Sequence, residues 1–589
     1  MQIFKQKSPY TGIAIIALTA ILTACGGSDK ESLSAQAIIS TPQGSVQGVT
    51  TDTNGIYNFK GLPFAAPPVG ELRWAAPQPA PSWSETRTAD TFGNRCMQPN
   101  SEDGFFNRLI EGHGLGGFKN FLIKRYTASQ TPSPMSEDCL YLNVRTGNIG
   151  TGKTKQPVMV WIHGGGHSFG SGDFSYYQSN GLVEKGVVLV TINYRLGAFG
   201  YMSHPALSAV DPNGVSGNYG TLDQIAALKW VKANISAYGG NPDNVTIFGE
   251  SAGGWSVTEL MASPLAKGLF HKAIAQSGSS GYHMSQMNDA TSPYDGQGWP
   301  DGYSQGIVVA SAVGLDNPSA ADLRSVNAGE LLDKIPKSAY DAFHHQRDGY
   351  VFPKNVGLAF RDGEINAVPY LTGYNADEGT LFFPDDPQPT VWLEGLEAGS
   401  AEALTAALTE AFPKNAAKLV ELYGLDTDFT TGGTQLMGDE IFGTNVIEAA
   451  RQVEAAGQPS YMYHFSRIPP SKKQTIGAFH AAELSFAFDS NLEILGLSDD
   501  DIALTDKMTS YWTNFAKTAN PNGAGLEVWP EYKGQNWMHF SGNTGLPTTQ
   551  AETNIRSDKL TALNEGLQIK LEGLAALKAQ SSPSNSAND

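Results

Sequence analysis

The amino-acid sequence predicts an α/β fold, in which a large and mostly parallel central sheet is flanked by helices. Two observations carry this prediction. Residues 157–162 and 186–193 are continuous runs of apolar and β-branched side chains, which is typical of strands buried on both faces of a parallel sheet. Residues 222–237 place apolar side chains at the spacing of a helix. Strands and helices that alternate in this way indicate a layered α/β architecture.

The remaining elements are predicted in chain order. Residues 41–64 alternate glycine, polar and apolar residues, as short hairpin strands do, and the proline-dense segment 62–81 must be extended loop. Residues 97–136 form a long irregular loop. Further strands are predicted at 245–248, 273–275, 369–373 and 461–465, helices at 256–261 and over most of 300–345 and 395–460, and a last helix at 503–518 that closes the fold.

The length of the chain would allow several domains, but its composition indicates one. No internal repeat and no linker rich in proline, glycine or serine interrupts residues 40–570, so one domain is predicted over 41–575. The final residues carry few apolar side chains, and 576–589 are therefore predicted as a disordered tail. The formal net charge of −19 excludes non-specific binding of nucleic acid, which needs a basic surface.

The first 24 residues predict a signal peptide. Two lysines precede an apolar stretch at 12–24, which is too short to span a bilayer because a span takes about 20 residues. The stretch ends in Leu-Thr-Ala-Cys-Gly, which resembles the lipidation motif of bacterial lipoproteins. We therefore expect a lipid on Cys25, a flexible tether over 25–40 and, since Gly26 rather than aspartate follows, a place on the periplasmic or cell-surface face of the outer membrane. An ordinary signal peptide with a chance cysteine, which would give a secreted protein, is the alternative.

Two further cysteines, Cys96 and Cys139, remain in the chain. An even pair in an exported protein indicates a disulfide, because the compartments outside the cytoplasm are oxidising. Two free and buried thiols are the alternative to this prediction.

The strongest signal in the sequence is Gly-Glu-Ser-Ala-Gly-Gly at 249–254, directly after a predicted strand. A strand that ends in Gly-x-Ser-x-Gly and turns into a helix is a nucleophile elbow, which holds its serine, here Ser251, on a strained turn at the top of the sheet. The run Trp-Ile-His-Gly-Gly-Gly at 161–166, the glycine loop, is of the kind that forms an oxyanion hole. Together, the two motifs indicate nucleophilic catalysis by Ser251.

Further motifs surround this pair. They are Phe-Lys-Gly-Leu-Pro-Phe-Ala-Ala-Pro-Pro at 59–68, Ser-Glu-Asp-Cys-Leu-Tyr-Leu-Asn-Val at 136–144, Asn-Tyr-Arg-Leu-Gly-Ala-Phe-Gly at 193–200, Gly-Asn-Tyr-Gly at 217–220 and Gln-Ser-Gly at 276–278. With these motifs, the chain resembles the type-B carboxylesterases, the cholinesterase-like branch of the α/β-hydrolase fold, over residues 40–545. The resemblance implies that fold, with helical and loop insertions around an active-site gorge, and it implies hydrolysis of carboxylic esters.

The resemblance also implies a catalytic triad. Its acid is a glutamate in an Asp-Glu-Gly string, here Glu378, with Asp377 beside it as a rival. Its base is a histidine before a Glu-x-x-Phe pattern, here His480. The chain order of Ser251, Glu378 and His480 is the order found in α/β-hydrolases. Such a histidine takes the proton of the serine hydroxyl while the acid orients its ring.

The backbone N–H groups of Gly165, Gly166 and Ala252 are implied as the oxyanion hole, which stabilises the tetrahedral intermediate. Two other histidines, His163 in the glycine loop and His464 in a predicted strand, are interpreted as structural. The resemblance implies no cofactor and no metal ion, and the implied partners are small ester molecules.

Other residues matching the family are implied to be structural. The resemblance implies an ion pair of Arg73 with Glu137, a second one of Arg195 with Asp223, and a disulfide between the two cysteines. The loop between these cysteines is longer than the family usually has, and the tryptophan that binds choline in cholinesterases cannot be placed in it. Local packing is favoured over substrate contact for its aromatic residues Phe105, Phe106, Phe118 and Phe121.

We therefore predict a serine hydrolase that cleaves carboxylic esters through an acyl-enzyme. The alternative from a different class is a catalytically inactive adhesion or binding protein, but such members of the family lose the nucleophile or the histidine. A narrower lipase, cholinesterase or xenobiotic esterase is also open, although the missing tryptophan weakens the cholinesterase interpretation. The sequence does not separate a lipase from a short-chain esterase, because the shape of the pocket sets the acyl length.

Overall fold

The computed structural model of the chain describes residues 37–50, 55–99, 112, 114, 133–150, 153–279, 281, 284–288, 301–335, 343–382, 391–393, 396–398, 400–470, 474–491, 496–543 and 545–581. The predicted signal peptide, the lipidation site Cys25 and the four phenylalanines of the long loop lie outside these residues. Among the described residues, no helix is both long enough and apolar enough to cross a membrane.

One large sheet organises the fold, and in the described part of the chain it has 13 strands. Side by side, they are Ala37–Thr41, Gly44–Thr50, Tyr57–Pro63, Tyr141–Thr146, Val188–Ile192, Gln156–Ile162, Gly240–Glu250, Lys272–Gln276, Tyr370–Asn375, Ser460–Phe465, Asn536–Phe540 and Thr549–Thr553, with Arg87–Thr88 paired to Gly44–Thr50. The strands from Val188–Ile192 to Asn536–Phe540 pair in parallel. The pairs at both ends of the sheet are antiparallel, except that Arg87–Thr88 runs parallel to Gly44–Thr50. Two further pairs of short strands lie outside it, Ser285–Gln286 with Gln346–Arg347 and Val391–Leu393 with Leu396–Ala398.

The central strands are buried along their whole length. Every residue of Val188–Ile192, Lys272–Gln276, Tyr370–Asn375 and Ser460–Phe465 is buried, so both faces of the sheet must be covered. The α-helices are Gly181–Glu184, Gly197–Tyr201, Pro205–Ser208, Tyr219–Asn234, Ala252–Ala262, Gly302–Ala312, Ala320–Ser325, Ala328–Lys334, Val356–Arg361, Ala401–Ala411, Ala416–Tyr423, Phe429–Gly438, Asn445–Ala455, Leu484–Ala487, Asp499–Thr518 and Ser557–Ser581. Shorter turns are 3₁₀ helices at Gly70–Leu72, Ser175–Tyr177, Ile235–Tyr238, Pro264–Ala266 and Glu378–Leu381, and a π-helical segment at Asp439–Thr444.

This architecture confirms the predicted α/β fold class with a mostly parallel sheet. The strand predicted at 157–162 is Gln156–Ile162, and the helix predicted at 222–237 is Tyr219–Asn234. The helix predicted at 503–518 begins four residues earlier. Ser498 caps it, because the serine side chain accepts the N–H of Asp501 in a capping box.

The prediction that this helix closes the fold is wrong. Two more strands and a helix follow it, Asn536–Phe540, Thr549–Thr553 and Ser557–Ser581. The first of them extends the parallel part of the sheet beside Ser460–Phe465. The second is an exposed edge strand of Thr-Gln-Ala-Glu-Thr, which has no apolar run that would have identified it.

The last helix also reaches into the segment 576–589, which the sequence predicts as a disordered tail. Leucine, alanine, lysine and glutamine, which dominate residues 571–580, all favour a helix. Residues 582–589 lie outside the described part of the chain.

Buried polar contacts and a disulfide hold the loops around the sheet. Arg195 makes two contacts of 2.8 Å with the carboxylate of Asp223, and both side chains are buried. Arg73 lies 2.5 Å from Glu137. The two cysteines, Cys96 and Cys139, form a disulfide. The predicted disulfide and both predicted ion pairs are therefore confirmed.

Candidate active site

The strand Gly240–Glu250 ends at the candidate nucleophile. Ser251 follows it with φ 56° and ψ −126°, a strained backbone conformation for a residue with a side chain. The elbow helix, Ala252–Ala262, starts at the next residue. A Cβ atom at Gly253 would overlap the carbonyl oxygen of Ile162, so only glycine fits at this place. The turn therefore has the geometry that the sequence predicts for a nucleophile elbow.

The glycine loop lies against this turn. A Cβ atom at Gly164 would lie 3.1 Å from the Cβ atom of Ser251, so the loop passes directly beside the serine. Gly165 and Gly166 have φ values of 100° and 60°, a region that favours glycine. Among the described residues, the N–H groups of Gly165, Gly166 and Ala252 have no hydrogen-bond acceptor. These three donors are thus free to bind a negatively charged oxygen.

Two loops bring the other residues of the predicted triad together. Nδ1 of His480 lies 2.5 Å from Oε2 of Glu378, and both side chains are buried. The other carboxylate oxygen of Glu378 accepts the backbone N–H of Asn375 at 2.7 Å. Asp377 instead accepts the N–H of Ala478 at 2.8 Å, which ties the two loops together. Glu378, rather than its rival, is therefore the acid that contacts the histidine.

A further carboxylate faces the other nitrogen of this ring. Oε1 of Glu250, the residue before Ser251, lies 3.1 Å from Nε2 of His480. Burial raises the pKa of Glu250 to about 8. Burial by itself would lower the pKa of His480, but the charges of Glu250 and Glu378 outweigh it and raise this pKa to about 9. Because Glu250 directly precedes Ser251, its contact with Nε2 of His480 means that this nitrogen faces the elbow.

A buried network supports the histidine loop from behind. Glu483 accepts hydrogen bonds from Nδ2 of Asn375 at 2.6 Å and from Nε2 of Gln276 at 3.0 Å. Gln276 in turn accepts the indole N–H of Trp512 at 2.9 Å. The sequence identifies Glu483 only as part of the pattern after His480, and the network explains why a carboxylate stands three residues beyond the histidine.

Two aromatic rings cover the histidine. The rings of Phe382 and Phe442 are stacked 6.0 Å apart, and their centroids lie 5.1 Å and 4.7 Å from that of His480. Phe442 is buried in the π-helical segment Asp439–Thr444, whereas Phe382 is 43% exposed. The sequence singles out neither ring, because Phe442 lies in a helical region without a motif.

Two histidines interpreted as structural are indeed packed inside the protein. The ring of His163 stacks on Tyr194 at 4.5 Å, and burial lowers its pKa to about 4, so the ring is neutral. His464 is buried within the strand Ser460–Phe465. Both interpretations are confirmed.

A second buried group adjoins the glycine loop. His167, Glu259 and His345 each offer one ligand atom, and these atoms lie within 4.8 Å of one another. Together with Ser256, whose Oγ lies 3.0 Å from Nε2 of His167, the group contains the residue types of a triad. However, Ser256 lies inside the elbow helix and lacks the strained turn of Ser251. The sequence does not identify this group, because no motif connects its members along the chain.

The comparison with known families agrees with this geometry. A family model described as the carboxylesterase family matches residues 35–561. The chain belongs to this family. The esterase is a serine hydrolase that cleaves carboxylic esters, and the predicted family and activity are confirmed.

Known relatives align with most of the length of the esterase. It is 34% identical over 514 residues to the fumonisin B1 esterase of Sphingopyxis macrogoltabida, with 84% of each chain covered. It is 35% identical over 513 residues to the para-nitrobenzyl esterase of Bacillus subtilis, covering 84% of this chain and 92% of that one. Among solved structures, a PNB esterase matches with a TM-score of 0.71 and 32% identity over 90% of this chain and 100% of that chain. The Geobacillus stearothermophilus carboxylesterase EST55 matches with a TM-score of 0.71 and 30% identity over 89% of this chain and 99% of that chain.

Proposed function

We propose that Ser251 is the nucleophile of the esterase, His480 its general base and Glu378 the acid that orients the base. The observation that carries this assignment is the 2.5 Å contact of Glu378 with Nδ1 of His480, made by a ring whose other nitrogen faces the elbow. A histidine that donates Nδ1–H to a carboxylate keeps its lone pair on Nε2. That lone pair is the one required to accept the proton of a serine hydroxyl.

The reaction then has two halves. In the first, Nε2 of His480 takes the hydroxyl proton while Oγ of Ser251 attacks the carbonyl carbon of the ester. The tetrahedral intermediate collapses, the leaving alcohol receives the proton from His480, and the acyl group stays on the serine. In the second, His480 takes a proton from water, the resulting hydroxide attacks the acyl carbon, and the carboxylic acid leaves as Ser251 regains its proton.

The N–H groups of Gly165, Gly166 and Ala252 are the proposed donors to the oxyanion. Their lack of acceptors among the described residues supports this role. Ala252 also stands at the start of the elbow helix, where backbone N–H groups have no partner within the helix. Each such donor contributes about 3 kcal/mol to the stability of the transition state.

The pH dependence of hydrolysis tests the proposed base. Only neutral His480 can accept a proton, and its pKa is raised to about 9, so kcat/KM should fall as the pH drops below about 9. Glu250→Gln removes one of the three carboxylates, those of Glu250, Glu378 and Glu483, that raise this pKa. The fall of kcat/KM toward low pH is the acidic limb of the pH profile. We expect this limb to move to lower pH in the variant, as measured with p-nitrophenyl acetate between pH 5 and pH 10.

The control for this shift is Glu71→Gln, because the side chain of Glu71 is 85% exposed and should leave the limb of the profile in place. A limb that stays at the wild-type pH in Glu250→Gln would mean that Glu250 does not set the charge of the base. A limb that moves equally in both variants would point to a general effect of net charge.

We further propose that the preferred substrates are neutral esters with an apolar acyl group. The rings of Phe382 and Phe442 supply an apolar surface at His480. The carboxylate of Glu378 lies against the same ring, joined above about pH 8 by that of Glu250, and would repel an anionic acyl group. Relatives named para-nitrobenzyl esterase and medium-chain fatty acyl-CoA hydrolase agree with apolar substrates, while an esterase for larger xenobiotics or a lipase is the narrower alternative.

A panel of p-nitrophenyl esters tests this preference. We expect kcat/KM for the butyrate to exceed that for the hemisuccinate, an anionic ester of the same acyl length, by about tenfold or more, since 1.4 kcal/mol of repulsion suffices for that ratio. Phe382→Ala should lower kcat/KM for the octanoate more than for the acetate. Equal rates on butyrate and hemisuccinate would contradict the proposed charge selection, and a preference for palmitate would favour the lipase alternative.

We also propose that the esterase is a lipoprotein anchored through Cys25 on the periplasmic or cell-surface face of the outer membrane. The support is the sequence, in which two lysines and a short apolar stretch precede the cysteine. Cys25→Ser should move the esterase activity from the sedimented membranes to the soluble fraction. Ser28→Ala, three residues further on, should leave it in the membranes. Activity that stays in the membranes in Cys25→Ser would refute the anchor.

A further inference from the structure

The buried group of His167, Glu259 and His345 lies where three segments meet. His167 directly follows the glycine loop, Glu259 lies in the elbow helix, and His345 precedes the short strand Gln346–Arg347. One ligand atom from each side chain lies within 4.8 Å of the other two, and all three side chains are buried. These residues take no part in the proposed mechanism of ester hydrolysis.

The ring nitrogens of His345 are not satisfied by hydrogen bonds within the described residues. Its side chain is only 3% exposed, and Nε2 has no hydrogen-bond partner among the described residues. Nδ1 lies 2.7 Å from Oε1 of Glu259, but without the alignment of a hydrogen bond. A buried ring nitrogen that lacks a partner is costly, which suggests that a further group belongs at this place.

The second imidazole, that of His167, is also buried, and its neighbours hold it in place. Oγ of Ser256 lies 3.0 Å from Nε2 of His167 and accepts a hydrogen bond from Gln224 at 2.9 Å. Such contacts fix the orientation of a histidine ring, as they do around known metal ligands.

We propose that His167, Glu259 and His345 form a binding site for a divalent transition-metal ion of the zinc type. Two imidazoles and one carboxylate are a donor set that zinc accepts, with the fourth position left for water. Ligand atoms around tetrahedral zinc are about 3.3 Å apart, so separations of up to 4.8 Å need to shorten by at most about 1.5 Å. Magnesium and calcium do not fit, because they prefer oxygen ligands.

The ion would act as a clamp on the fold rather than as a catalyst. Glu259 stands eight residues after Ser251, which is about 12 Å along a helix, and therefore does not reach the reacting ester. Through His167 the ion would join the end of the glycine loop to the elbow helix and to the segment before Gln346–Arg347. It would thus hold the loop that carries Gly165 and Gly166 in position.

Zinc binding by the full chain, purified without a histidine tag and stripped with a chelator, tests the site. After addition of zinc and desalting, elemental analysis should find about one zinc per wild-type chain. Glu259→Gln and His345→Gln should weaken zinc binding by about 100-fold or more, since one ligand of three is lost. His539→Gln is the matched control, because His539 also contacts a carboxylate, that of Glu552 at 2.8 Å, outside this group. It should keep the wild-type amount of zinc.

Wild-type protein that binds no zinc, or variants of the group that bind as much as wild type, would overturn the proposal, whatever happens to esterase activity. A second measurement covers variants that fail to fold. Zinc in excess should raise the Tm of the wild-type chain, because a ligand that binds only the folded state stabilises it, whereas the same concentration of magnesium should not. A Tm that zinc does not change would also overturn the proposal.

Discussion

Replacing Ser251 by alanine is expected to lower kcat by about 10⁶-fold, the loss seen when the nucleophile of a serine hydrolase is removed. Alanine keeps the backbone and the Cβ atom of the turn but has no hydroxyl to form the acyl-enzyme. The strained conformation at φ 56° is the same for both residues, so the variant should fold as well as the wild type. Hydrolysis of p-nitrophenyl acetate measures the loss, and thermal unfolding checks the fold.

Ser256→Ala is the matched control, because Ser256 is a second serine beside a histidine, in the helix that follows the same turn. This variant loses buried hydrogen bonds and some stability, but the folded protein should keep its activity within about tenfold. An organophosphonate that labels the active serine should modify the peptide that contains Ser251 in both the wild type and Ser256→Ala. Full activity in a folded Ser251→Ala, or label on Ser256, would overturn the assignment of the nucleophile.

The sequence predicts the centre of the sheet better than its edge. A strand such as Gln156–Ile162 is buried on both faces, and burial forces a continuous apolar run that can be recognised without the structure. The edge strand Thr549–Thr553 forms because Asn536–Phe540 offers it hydrogen bonds, and four of its five residues are polar. A strand whose stability comes from its neighbour leaves no pattern of its own.

The residues of the candidate site also fall into two groups, those that the sequence reveals and those that only the folded structure reveals. Ser251, Glu378 and His480 stand in motifs, because a strained turn or a tight loop restricts the residues on either side of each. The contact of Phe442 with His480, and that of Glu259 with His345, depends on how distant segments pack. No local constraint marks such residues, and only the folded chain reveals that a ring or a carboxylate has reached the site.

Glu378→Gln is expected to lower kcat by about 10⁴-fold with little change in KM, as the amide analogue of the acid does in serine proteases. Glutamine has no negative charge to stabilise the imidazolium that forms when His480 takes the proton. Its amide group can also hold the ring in the wrong tautomer, with the proton on Nε2 where the lone pair is needed. Steady-state kinetics with p-nitrophenyl acetate, together with the pH profile, measure this effect. The loss of one carboxylate should also move the limb of the profile to lower pH, since Glu378 helps to raise the pKa of His480.

Asp377→Asn provides the comparison that separates the two neighbouring acids. Asparagine can still accept the N–H of Ala478 through its side-chain oxygen, so the two loops should stay joined and activity should remain within about tenfold of the wild type. A large loss in Asp377→Asn together with near-normal activity in Glu378→Gln would assign the acid to Asp377. Because both residues belong to one Asp-Glu-Gly string, the motif cannot decide between them, whereas the 2.5 Å contact of Glu378 with His480 predicts which variant fails.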